Sequence, residues 1–193
     1  MIAFLSGNFV YKSPAVVHID INGVGYEVQI SLNTYSKIQS LEKGLLHTWL
    51  HIKEDAHTLY GFADIVEKNI FLQLISVNGI GTSTARMMLS SLKPEELTDA
   101  IYKGDTPRLE KIKGIGKKSA ERIVLELRDK ISKNLVDTTS FTHKNNTLEQ
   151  DALNALVALG IARNAAEAAV KKATSAIPAE NLETLIKTAL QLI

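Results

Sequence analysis

Two stretches of one design lie 35 residues apart: Val77-Asn78-Gly79-Ile80-Gly81-Thr82-Ser83-Thr84-Ala85 is echoed by Ile112-Lys113-Gly114-Ile115-Gly116-Lys117-Lys118-Ser119-Ala120. An internal repeat of this size means that one supersecondary unit is built twice, which constrains the fold more than any single motif. The unit reads helix, glycine hairpin, helix. Glycine reaches backbone angles that other residues reach only under strain, so Gly-Ile-Gly reverses the chain tightly while exposing its amides. The helix that follows begins with N–H groups that lack intrahelical partners and carry the positive end of the helix dipole, which suits the spot to an anionic oxygen.

One Gly-x-Gly is equally an economical helix–helix turn. Two copies, with hydroxyls and lysines at matching positions, favour a binding site. The arrangement resembles the helix-hairpin-helix motif, which implies a grip on nucleic-acid backbone without base reading. The candidate DNA-binding residues are Asn78, Gly79, Gly81, Thr82, Ser83, Thr84 and Arg86 in the first unit. Lys113, Gly114, Gly116, Lys117, Lys118, Ser119 and Arg122 are their counterparts in the second. Charge supports this placement. The net charge is only +1, but residues 107–133 carry nine Lys or Arg against four acids, whereas 1–63 and 148–193 each carry four basic and five acidic residues. Positive charge is concentrated on the second unit, where a phosphate-binding face needs it.

The rest of the chain divides around the repeat. Residues 1–63 read as β: Val17, Ile19 and Ile21 alternate with polar residues, Asn22-Gly23 signals a hairpin, and Tyr26, Val28 and Ile30 alternate again. With a strand over 2–8, a helical piece over 32–38 and a final hairpin from 45–53 and 57–62, five strands and one helix predict a small closed barrel of the OB type. Residues 64–133 are helical, opened by Asp64 with Glu67 three later, by Pro94 with Glu95 and Glu96, and by Thr106-Pro107, with Gly104 as a helix end. The helix after the second hairpin places Ala120, Ile123, Val124, Leu127 and Ile131 on one face and leaves Lys117, Lys118, Arg122 and Arg128 outward. Residues 134–146 are polar and lose periodicity, which predicts a flexible linker. Residues 147–193 read as three short helices, the first from Thr147 to Gly160, the second from Asn164 and the third from Pro178. The fold class expected is therefore a multi-domain β plus α chain: barrel, double helix-hairpin-helix domain, linker and three-helix bundle.

Several chemistries fail at the level of residues. There is no cysteine, which excludes disulfides and thiolate chemistry. Gly23-Val24-Gly25 lacks the third glycine of a dinucleotide fingerprint, and Gly116-Lys117 lacks the first glycine and the Ser/Thr of a Walker A loop. His47 and His51 fall in a strand-like segment, where residues four apart lie roughly 13 Å apart, too far to share a metal. No nucleophile with its base is visible, and no catalytic residue, metal or cofactor is expected. Nor is a secretory leader or membrane span, and a cytoplasmic location is expected. Trp49, Tyr26 and Tyr60 could stack bases, as an RNA-binding barrel requires, but read better as core. A glycosylase or nuclease, which can also use helix-hairpin-helix units, would need a catalytic Asp or Lys that cannot be named. At the turn of the final hairpin, Glu54 and Asp55 read on their own as solvated carboxylates.

Taken together, Met1-Ile2-Ala3-Phe4-Leu5-Ser6-Gly7, Asn22-Gly23-Val24-Gly25-Tyr26, Lys53-Glu54-Asp55-Ala56, Leu59-Tyr60-Gly61-Phe62, both glycine hairpins through Arg122, and Asp151–Gly160 make the whole chain similar to the RuvA family, the Holliday-junction-binding subunits of bacterial branch migration. That resemblance implies a homotetramer, or two stacked as an octamer, on an open square four-way junction. Glu54 and Asp55 would form an acidic pin at the junction centre. The third domain would engage the RuvB ATPase through apolar residues such as Leu153, Leu156, Leu159, Leu182 and Leu185, and the RuvC resolvase is expected in the same pathway. The chain departs from the family in its linker, where Asp137 is the only acidic residue.

Overall fold

The computed structural model describes residues 1–141, 148–176 and 181–193. The chain divides into two compact units, 1–133 and 134–193.

In the first unit the alternating N-terminal sequence closes into a barrel. Strands β1 (Phe4–Lys12), β2 (Val16–Ile21), β3 (Val24–Ile30), β4 (Lys43–Ile52) and β5 (His57–Phe62) pair in the order β1-β2-β3-β5-β4 and back to β1. All pairs are antiparallel except β3 with β5. Asn22 (φ 52°) and Gly23 (φ 89°) form the left-handed two-residue turn that matches strand twist. Leu5, Val17, Ile19, Val28, Ile30 and Leu46 fill the barrel. Helix α1 (Leu32–Ile38) lies between β3 and β4, with Ser31 as its N-cap. This is the expected OB-type arrangement.

Five helical elements complete the unit: α2 (Ile65–Ile75), α3 (Thr82–Ser91), α4 (Pro94–Lys103), α5 (Thr106–Glu110) and α6 (Lys117–Phe141). Asp64 caps α2 by accepting from the Glu67 amide at 2.8 Å, a cap worth about 1 kcal/mol. The Glu67 side chain does not complete the expected capping box. It is fully buried and accepts from the hydroxyls of Ser31 and Thr34 on the α1 side of the barrel, the latter at 2.8 Å. Barrel and helices are one unit because they share a core. Trp49, Tyr60 and Phe62 from β4 and β5 pack on Phe71 of α2 with ring centroids 4.9–5.6 Å away, each pair worth about 0.5–1.5 kcal/mol beyond area burial. The aromatics weighed as base-stacking residues are thus mostly interior: Tyr60 is buried, and Trp49 and Tyr26 are partly buried against the cores. His47 and His51 both lie in β4, and His51 stacks on Trp49.

The linker expected over 134–146 is corrected in its first half. α6 runs on to Phe141, because residues 134–141 contain no glycine or proline and an existing helix extends without a new nucleation step. Residues 142–146 lie outside the described residues. In the second unit, α7 (Leu148–Ala158), α8 (Arg163–Ala176) and α9 (Leu182–Gln191) pack around Ala152, Leu153, Leu156, Ala166, Ala169, Val170, Ala173, Leu185 and Ala189. α9 starts at Leu182 on an Asn181 cap rather than at Pro178, and both Thr147 and Pro178 lie outside the described residues. No described helix is long and apolar enough to cross a membrane.

Candidate nucleic-acid interface

The repeat seen in sequence is a repeat in geometry. In the first hairpin the Ile80 amide donates to the Val77 carbonyl at 3.0 Å and the Ala85 amide to Gly81 at 2.9 Å; in the second, Ile115 donates to Ile112 and Ala120 to Gly116 at the same two distances. Val77, Ile80, Ile112 and Ile115 are buried and hold each turn down. Gly79 (φ 89°) and Gly114 (φ 93°) sit at matching positions in the left-handed region, where a side chain is strained. Gly81 and Gly116 differ: neither has a positive φ, and an added Cβ at either would meet nothing within 4 Å. Nothing inside the chain demands glycine there, and its effect is to leave the start of α3 or α6 bare. Gly81 caps α3 without any side-chain hydrogen bond, so the first-turn amides of α3 face outward unclaimed by a side chain.

Of the residues the sequence singled out, Asn78, Gly79, Gly81, Ser83, Lys113, Gly114, Gly116, Lys117, Lys118 and Arg122 are exposed, and Thr84 and Ser119 are half-buried. Arg122 reaches from α6 to the first hairpin and donates to the Asn78 carbonyl at 3.1 Å, so the two hairpins lie side by side.

Two expected phosphate ligands are engaged within the protein. Thr82 Oγ1 accepts from the Tyr60 hydroxyl at 2.9 Å, and Arg86 Nη1 donates to Gln29 Oε1 at 2.5 Å and to the Ala15 carbonyl at 3.1 Å. One turn further, Ser90 Oγ accepts from the Leu32 amide at 3.1 Å, while Asn33 donates to the carbonyls of Leu89 and Leu92. Positions 82, 86 and 90 are four apart and therefore share one helix face, and that face is turned to the barrel. Their spacing was visible; their partners Tyr60, Gln29 and the Leu32 amide come from elements far away in sequence and were not.

Glu54 and Asp55 are exposed at the tip between β4 and β5, where the Lys53 amide closes the turn onto the Ala56 carbonyl at 2.9 Å. In the second unit the expected partner-facing leucines are corrected. Leu153, Leu156 and Leu185 are buried and Leu182 packs on the same cluster, because a bundle this small takes its regular leucines for its own core. Leu159 remains exposed, with Val157, Leu190 and Leu192.

A small OB-type barrel fused to two adjoining glycine hairpins that each open a helix, the second with exposed lysines, defines a DNA-binding protein of the helix-hairpin-helix class. Matches to known families agree: residues 1–61 match the RuvA N terminal domain, 71–129 a SAM-like helix-hairpin-helix tandem, and 147–193 the RuvA C-terminal domain. The chain is 47% identical over 191 residues to a protein of Christiangramia forsetii, covering 99% of each, and 42% identical over 200 residues to one of Cytophaga hutchinsonii, covering 100% of each. A Bacteroides fragilis protein is 41% identical over 199 residues and 99% of each chain. All three bear the name Holliday junction branch migration complex subunit RuvA. The chain belongs to the RuvA family.

Proposed function

We propose that this protein binds the four-way DNA junction and holds it open and square for a RuvB-type ATPase, without catalysing a reaction itself. The observation that carries this reading is the duplicated hairpin, whose helix starts, open beside Gly81 and Gly116 and joined in the second copy by exposed lysines, suit phosphate oxygens. Binding that rests on phosphate is insensitive to sequence, as a junction that migrates through arbitrary DNA requires. Four copies around the centre would give each arm a pair of hairpins, and eight in two layers would give each arm two pairs. The second unit would dock the motor, using the exposed Val157, Leu159, Leu190 and Leu192 in place of the buried leucines. A cytoplasmic setting, and a resolvase acting on the same junction, fit this role.

Glu54 and Asp55 have their part at the centre. Four tips meeting there would bring eight carboxylates close to the strand crossing. They would repel a continuous duplex passing through, while an open junction leaves room for them. Glu54→Gln with Asp55→Asn is expected to tighten binding to linear duplex more than to a junction, and the difference should shrink as salt screens the charges. Native mass of the free protein and of its junction complex, followed by titration of both DNAs at two salt concentrations, tests the whole reading. Equal affinity for junction and duplex in the wild type would refute it.

A further inference from the structure

The two hairpins are alike in backbone and unlike in charge. Residues 77–85 contain no Lys or Arg, whereas the second hairpin has Lys113, Lys117 and Lys118. The cation that follows the first hairpin, Arg86, is held by Gln29 and the Ala15 carbonyl. A phosphate on the first hairpin would thus meet amides and neutral hydroxyls, and beside them the outward Asn78 carbonyl, whose partial negative charge opposes it.

Arg122 changes this balance. Its Nη1 lies 3.1 Å from the Asn78 oxygen and would lie 3.8 Å from a Cβ built on Gly79, so the guanidinium sits against the rim of the first hairpin although it belongs to the helix of the second. We propose that Arg122 is the phosphate-binding cation of the first hairpin, supplied across from the second, and that the same side chain sets the spacing between the two grips. The inference rests on the reading of both hairpins as phosphate sites. A guanidinium has five N–H donors in one plane and stays charged at any working pH. One donor neutralises the Asn78 carbonyl; others remain for a phosphate oxygen seated on the Gly79–Gly81 turn. Lysine at 122 would keep the charge but not the planar fork that holds both partners in register.

The test uses the full-length protein and a synthetic four-way junction titrated over a series of salt concentrations, with phosphate-ethylation interference to locate the contacts. Arg122→Gln should lower affinity about tenfold and reduce the salt slope by about one unit. The phosphates whose ethylation ceases to matter should be those lost in Gly79→Val, not those lost in Lys117→Ala with Lys118→Ala. Adding Ser83→Lys to Arg122→Gln should restore the slope, and should gain more there than in the wild type, because it replaces the missing charge on the same hairpin. Arg122→Lys should keep the slope and lose part of the affinity. Equal gains from Ser83→Lys in both backgrounds, or interference losses confined to the lysine-bound phosphates, would overturn the assignment of Arg122. Failure of the phosphate-site reading itself would look different: the wild type would show no interference at either hairpin.

Discussion

The first hairpin unit is fastened and the second is charged. Helix α3 is tied to the barrel at Thr82, Arg86 and Ser90, three polar residues on one face, and so little of its polarity is left for DNA. Helix α6 holds to the first unit through Ala120, Ile123 and Leu127 in the common core and through Arg122, and Lys117 and Lys118 stay exposed. One backbone repeat has been divided between anchorage and charge. The lesson is that donors counted near a motif do not measure its grip until their other partners are known.

The comparison can be broken most severely at its shared part. Gly79→Val and Gly114→Val force a β-branched residue into the left-handed region at about 1–3 kcal/mol, and each is expected to cost about tenfold to a hundredfold in junction affinity. Gly81→Ala and Gly116→Ala should melt like the wild type, since the added Cβ meets nothing, yet bind more weakly because it covers the helix start. Wild-type binding by those alanine variants would show that the bare start is not used. The division of labour is sharpened by a second pair. Lys117→Ala with Lys118→Ala should reduce the salt slope by roughly two units, equally on all arm sequences, and leave thermal stability unchanged. Arg86→Ala should do the reverse, lowering stability by about 1.5–3 kcal/mol in denaturant titration while the slope stays put. A slope change in Arg86→Ala would return that residue to the DNA face.

The smallest effect lies in the pH dependence of the anchorage. Burial raises the Glu67 carboxyl above its usual range, outweighing the hydrogen bonds from Ser31 and Thr34 that favour its charged form. A carboxyl raised in the folded state stabilises most when protonated, so its contribution is full below the unfolded value near about 4.3 and is lost as pH rises through the raised folded value. Asp64 beside it runs the other way: burial raises its carboxyl, but the hydrogen bonds from Lys37 and the Glu67 amide, with the Lys37 charge, hold it below its usual range. Its stabilisation is present above the unfolded value and fades on acidification. Melting temperatures from pH 3 to 8 should show both trends in the wild type, and Glu67→Gln should remove the loss on the alkaline side alone. An unchanged profile in Glu67→Gln would mean that the carboxyl titrates as it does in the unfolded chain.

What the sequence reveals follows from whether the determinant is local. The barrel strands were legible because alternation over 17–30 and the Asn22-Gly23 turn act within a few residues, and the hairpins because glycine has a local reason at 79 and 114. The burial of Glu67 was not, since it depends on Ser31, 36 residues away, closing over a position that a capping box leaves in water. The internal partners of Thr82 and Arg86 are illegible for the same reason. The burial of Leu153, Leu156 and Leu185 was not legible because regular spacing marks a face without saying what covers it. Polarity over 134–141 was taken for a linker, although polar residues without a breaker can continue a helix.

The bond between the Tyr60 hydroxyl and Thr82 has a consequence for the DNA. Tyr60 lies on β5, whose other end leads to the carboxylate tip, and the three strand steps from His57 to Tyr60 span about 10 Å. The tip and the first grip are therefore the two points of one calliper whose opening is set inside the protein. Such a gauge does not adjust to its object. On the proposed reading, DNA that fails to fit must bend its own backbone to be held, and the fit of shape does the sorting that base contacts perform elsewhere.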